Sequence, residues 1–206
     1  MESPVFTIQG LPPVPPPALD PYLDAASRCF ARYGIRRTSV QDVAQELGVN
    51  RTTVYRQVGT IEQLSMLLTV RDGSRVINSL PERISWPIGP RSVIELIAAV
   101  VAEARAHPVL AKILADERDV IGAFFASDSL RFTEQATTAI VPLVALAMSA
   151  GNIARRDPVI LTQWLVRITL SLVLTDPPGD VAEFLAELLL PALTPVGGQP
   201  PSVTSG

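Results

Sequence analysis

The stretch from Thr38 to Val58 constrains the fold more than any other part of the chain, because it encodes two short helices and the turn between them. Val40, Val43, Ala44 and Leu47 recur at helical spacing, giving the first helix one apolar stripe and a polar back. Thr38 or Ser39 opens it. Gln41 stands three residues after Thr38 and Asp42 three after Ser39, so a capping box is available in the first register and a looser version in the second. Gly48 closes the helix by taking the left-handed conformation that a sharp C-terminal turn needs. Val49 is then placed to fold back onto the apolar stripe, and Asn50 to cap a helix starting at Arg51. Two helices joined by such a turn make the helix-turn-helix layout.

In the second helix Val54 and Val58 are four apart and face the first, which leaves Arg51, Thr52, Thr53, Tyr55, Arg56 and Gln57 largely outward. That face carries the chemistry of duplex DNA recognition. Arginine donates to phosphates or to guanine O6 and N7, threonine offers a hydroxyl and a methyl, and tyrosine hydrogen-bonds a phosphate. With the helix-capping residues Thr38 and Thr60, these side chains form the candidate DNA-contact set. A polar helix alone is more often a solvated face. The ordered string of caps, turn glycine and apolar spacing makes the case.

The region from Tyr22 to Leu64, about a fifth of the chain, resembles the DNA-binding domain of the TetR (tetracycline repressor) family. Leu23, Ala26, Phe30 and Gly34 match its first helix. Thr38 to Ala44, then Gly48 and Val49, match the second, and Thr53 to Arg56 followed by Glu62 and Leu64 match the third and the start of the fourth. Two positions depart from the family pattern: Val58 replaces an aromatic residue, and Ile61 replaces a lysine expected to reach a phosphate. The resemblance implies an all-α protein with an N-terminal three-helix helix-turn-helix domain and a C-terminal helical domain for ligand binding and dimerisation. It also implies a homodimer on palindromic operator DNA and a small-molecule effector held among the fourth to seventh helices.

Charge and prolines divide the chain in the same way. Residues 1–60 carry six arginines against five acidic residues, whereas the remainder is net acidic. A basic footprint is therefore confined to Arg28, Arg32, Arg36, Arg37, Arg51 and Arg56. Residues 1–19 hold six prolines and no Arg or Lys, and read as a mobile arm. Residues 20–60 form the DNA-binding domain, 61–194 a helical body and 195–206 a loose tail rich in Pro, Gly and Ser. A long fourth helix from Thr60 to about Leu80 joins head to body and is the expected mechanical link. After the break at Trp86 to Pro90, helices follow at about 91–106, 108–115, 117–126 and 129–150, the last kinked by Pro142. Asp157 with Pro158 opens a helix to Thr175, and Asp180 caps one from Val181 to Leu193. The first of this pair is apolar nearly all round, so it is either core or covered by a partner. Trp164, Leu165, Ile168, Leu172, Leu185, Leu188 and Leu189 are the candidate dimer interface.

No enzyme constellation emerges. His107 is the single histidine, and Glu103 four residues before it makes two ligands without a third. Asp116 to Asp119 reads as a charged helix junction, and neither a Gly-rich phosphate loop nor a nucleophile motif is present. No catalytic residue, metal or cofactor is expected. Cys29, the one cysteine, excludes an intramolecular disulfide and reads as a buried apolar residue. The apolar segments at 136–150 and 158–175 are interrupted and too short to span a bilayer, so the expectation is a cytoplasmic protein without membrane contact. For the effector cavity that the resemblance implies, Met66, Val70, Ile97, Val101, Phe124, Phe125 and Trp164 are candidate apolar lining residues, although core packing is the commoner role of each residue type. The alternatives are an architectural DNA-binding protein without an effector and, less in keeping with the residues, an all-α enzyme.

Overall fold

A computed structural model describes residues 13–83, 87–127 and 129–195. The first twelve residues, most of the expected arm, lie outside this set, as do Trp86 and the tail from residue 196. Among the described residues the chain forms ten α-helices and one short 3-10 turn, with no strand. The turn, Pro17–Leu19, corrects the expectation that the whole arm is unstructured: Leu19 packs on the head.

The head comprises α1 (Asp20–Tyr33), α2 (Val40–Leu47) and α3 (Arg51–Val58). Leu23, Ala26, Cys29 and Phe30 of α1 close over Val43, Ala44, Val54 and Val58. This apolar cluster does not end at residue 60. It takes in Leu64 and Leu68 of α4 (Ile61–Arg83) and Val109 of α6 (Pro108–Asp116), so body helices complete the core of the head.

The body adds α5 (Pro90–Ala106), α7 (Arg118–Ser127), α8 (Ser129–Ser149), α9 (Pro158–Leu174) and α10 (Val181–Leu193). Pro142 lies within α8, which is helical without interruption. Asp157 accepts from the backbone N–H of Val159 and Ile160, both at 2.9 Å, and Asp180 from Ala182 and Glu183 at 2.8 and 3.0 Å. Both expected caps are thus in place. Ile94, Ile97 and Val101 of α5 meet Leu165 and Leu172 of α9 and Leu185, Leu189 and Leu193 of α10 in one core.

An ionic cluster around the buried Arg71 ties head to body. The Arg71 guanidinium of α4 reaches Asp24 of α1 at 2.7 Å, Asp20 at 3.3 Å and Asp72 at 2.9 Å. Asp72 also accepts from His107 Nε2 at 3.2 Å, at the junction of α5 and α6. Burial opposes ionisation of Asp72, but the hydrogen bonds from His107 and Arg71 outweigh it and hold the carboxyl below its ordinary range. A depressed carboxyl contributes stability that is complete above its unfolded pKa and fades as the pH falls through the folded one. Asp72→Asn is therefore expected to cost about 1–2 kcal/mol at neutral pH. The deficit should shrink on acidification below the carboxylate range, as read by urea unfolding across pH; a deficit that stays constant would contradict the linkage.

Candidate nucleic-acid interface

Local chemistry builds the interface from the N-terminus of α2 onward. The register that forms is the one at Ser39. Its backbone N–H donates to Asp42 Oδ2 at 2.7 Å, and Asp42 N–H donates back to Ser39 Oγ at 3.3 Å. Thr38 instead turns inward and donates its hydroxyl to the Gly34 carbonyl at 2.6 Å. It is buried, so of the candidate contact set it is the member that supports the fold rather than facing outward. Asp42, hydrogen-bonded by the Ser39 hydroxyl and backbone, sits below the usual carboxylate range.

At the other end Gly48 adopts φ 69° and ψ 29°. Its N–H reaches the Gln45 carbonyl at 3.1 Å, and Val49 N–H reaches that of Ala44 at 3.0 Å, which is the Schellman arrangement. Val49 itself remains exposed instead of folding onto the apolar stripe. Asn50 Oδ1 accepts from Thr52 N–H at 2.8 Å and starts α3. Val54 and Val58 point into the head, while Arg51, Thr52, Tyr55, Arg56 and Gln57 are exposed and Thr53 is half-buried. The Thr60 hydroxyl accepts from Gln63 N–H at 3.3 Å and bonds Glu62, so Thr60 serves as the cap of α4. Ile61 packs on the head cluster, which accounts for an apolar residue at that position.

The structure narrows the basic footprint that composition outlined. Arg28 and Arg32 are drawn to Glu46, at 2.6 and 3.8 Å, and Arg36 pairs with Asp119 of α7. Arg51 and Arg56 have no ion-pair partner among the described residues, and both lie on the exposed side of α3. Cys29 is buried; burial and the Glu46 and Asp42 carboxylates push its thiol up, which makes it a core residue and not a nucleophile.

An exposed, cation-bearing second helix on a capped turn is the geometry of a DNA-reading head. A model of bacterial regulatory proteins of the tetR family matches residues 23–65, which spans α1 to the first turn of α4. Over this stretch the chain is similar to the TetR family. An uncharacterized HTH-type transcriptional regulator of Mycobacterium tuberculosis is 26% identical to it over 185 residues, covering 86% of each chain. GusR of Salmonella enterica shares the fold at a TM-score of 0.66 with 19% identity, over 86% of this chain and 95% of its own. The TetR family repressor AlkX of a Dietzia species does so at 0.60 with 18% identity, over 84% and 98%. These matches support a DNA-binding transcriptional regulator, a class of protein that works by binding and not by catalysis. No described helix is long and apolar enough to cross a membrane.

The body of the chain holds a half-open cavity of about 1100 Å³, bounded by α5 to α9. Leu114, Ile121, Leu170, Val173 and Leu174 give it apolar walls, Phe125 and Leu130 its exposed apolar rim, and Arg105, Arg118 and Arg167 its cations. Of the seven expected lining residues the cavity contains Phe125 alone. Ile97 and Val101 are consumed by the core, Met66 and Trp164 are exposed, and Phe124 stacks edge-on against Phe125 and Phe132. Neither Val70 nor any other described α4 side chain lines the cavity, which lies among the fifth to ninth helices and not among the fourth to seventh, where an effector site was expected.

Besides α4, a second contact joins the body to the head. Glu117, between α6 and α7, is buried and accepts from the backbone N–H groups of Ile35 at 2.8 Å and Arg36 at 3.0 Å. These belong to the loop joining α1 to α2, and the flanking residue Arg118 lines the cavity. In the sequence Glu117 is part of a charged junction between two helices. The available signal was an acidic residue breaking two apolar helices, which does not identify a partner some eighty residues away.

Proposed function

We propose that this protein is a ligand-responsive repressor that holds a palindromic operator as a homodimer and leaves it when a small, mostly apolar effector enters the body cavity. The observation that carries this reading is that one fold holds both an exposed helix α3 and a large cavity, with Glu117, next to cavity-lining Arg118, bonded to the loop that precedes α2 in the same head. A head that only held DNA would have no use for a cavity of drug-sized volume wired to its backbone. AlkX, which shares the fold, is described as a repressor implicated in n-alkane biodegradation, and an apolar effector suits the walls seen here.

The dimer is assigned to the outer face of α9 around Ile160 and Trp164, short of Arg167 at the cavity mouth, and to the outer face of α10. Ile160 is 68% exposed, Trp164 46% and Leu188 66%, an apolar surface of the kind that partners cover. Leu165, Leu172, Leu185 and Leu189 leave the candidate interface, because they are buried in their own chain, and Ile168 is half-buried against the same core.

Selection from random duplex DNA tests the operator: enrichment of two half-sites about 34–36 Å apart is expected. Recovery of no preferred sequence would favour the architectural reading. With the selected operator, Thr53→Ala and Tyr55→Ala are each expected to weaken binding by about 1–3 kcal/mol while helicity is unchanged. Full affinity in both variants would remove α3 from the interface.

A further inference from the structure

We infer that the effector is an amphipathic anion, an apolar chain ending in a carboxylate or phosphate, whose head is taken by Arg118 and Arg167 and whose chain lies along the walls of α6, α7 and α9. The inference deepens the effector reading above and rests on it.

Charge drives the assignment. Three arginines line the cavity against one carboxylate, Asp176, which is spent on Arg105. Arg105 Nε is buried and has no hydrogen-bond partner among the described residues. Arg167 donates to the Gln163 carbonyl of its own helix at 3.2 Å and meets no carboxylate among the described residues. Arg118 is flanked in sequence by two acids, yet both are turned away from it: Glu117 accepts from Ile35 and Arg36, and Asp119 pairs with Arg36. The head thus withdraws the counter-charges and leaves a guanidinium on the cavity side.

Arg118 and Arg167 are exposed at the open side of the cavity, and guanidiniums without a carboxylate partner there, beside apolar walls, favour an anionic head over a neutral or cationic one. The planar fork matches the two or three oxygens of a carboxylate or phosphate. A neutral chain would bury the same apolar surface but leave the donors unanswered, and a cation would be repelled.

The test uses four ten-carbon probes with one chain and different heads: decanoate, 1-decanol, decyltrimethylammonium and, to separate carboxylate from phosphate, monodecyl phosphate. Calorimetry on the full chain is expected to show decanoate or decyl phosphate binding about tenfold or more tightly than decanol, and no binding of the ammonium. In Arg118→Gln and Arg167→Gln, each checked for unchanged helicity, the preference should fall about tenfold while decanol binding stays as it was. Equal binding of decanol and the anions, an anion preference that survives both substitutions, or no binding of any probe would overturn the inference. Operator affinity, measured in parallel, separates the two levels. If decanol binds as well as decanoate and both weaken operator binding, the anion site falls and the effector reading stands. If decanoate binds with the arginine-dependent preference but leaves operator affinity unchanged, the anion site stands and the effector reading falls.

Discussion

Leu189→Arg is expected to unfold the body, whereas the same substitution one residue earlier, Leu188→Arg, is expected to leave the helices intact and yield monomers. The two leucines are neighbours on α10 with opposite environments: Leu189 is 2% exposed and packed among Leu185, Leu193 and α5, while Leu188 faces outward. Truncating a buried leucine costs about 2–5 kcal/mol, and forcing an unpaired guanidinium into its place adds several more. The sum rivals the whole stability of a domain, about 5–15 kcal/mol. At Leu188 neither term applies within the subunit, and the charge acts only on a partner surface. Circular dichroism and sedimentation equilibrium at micromolar concentration check both outcomes. A dimer that persists in Leu188→Arg and in Ile160→Arg would place the assembly face elsewhere, and near-native melting of Leu189→Arg would contradict the core assignment.

Gly34→Ala is expected to cost about 3–5 kcal/mol and to loosen the head from the body, because two effects coincide at that residue. Gly34 has φ 88° and ψ 161°, a conformation that essentially only glycine adopts. A Cβ there would also stand 2.6 Å from Glu117 Oε1 and 2.7 Å from its Cδ. The carboxylate would have to retreat, leaving the N–H groups of Ile35 and Arg36 without their acceptor. Glu117→Ala removes the same acceptor without the backbone strain, at a cost of about 2–4 kcal/mol. In the double variant the two costs should not add, since the alanine at 34 no longer meets a side chain. Urea unfolding of the four proteins measures this coupling; strict additivity would mean that Glu117 does not clamp the loop in solution. If the clamp carries the signal, Glu117→Ala should also blunt the operator response to whatever compound fills the cavity.

The contrast between Leu188 and Leu189 shows where sequence stopped. Every helix boundary that function depends on was legible, because caps and turns act within four residues of themselves: Gly48 and Asn50 at the turn, Asp157 and Asp180 in the body. Inward faces were legible where a helix is amphipathic, as with Val54 and Val58 against the polar face of α3. Thr38 and Ser39 offered two capping registers of similar local quality, and the choice fell to packing, which buried Thr38 against Gly34. On α9 and α10, apolar over most of the circumference, no periodicity distinguishes core from partner surface, so Leu165 and Trp164 read alike until α5 and α8 occupied one side. The cavity is assembled from five helices spread between Arg105 and Asp176, and Glu117 finds its partners across the interface with the head. Local chemistry in the sequence determined the reading head. Which side chains remain free to meet a ligand, a partner or the head was decided only by long-range packing, because a side chain's availability depends on what the rest of the chain has already claimed.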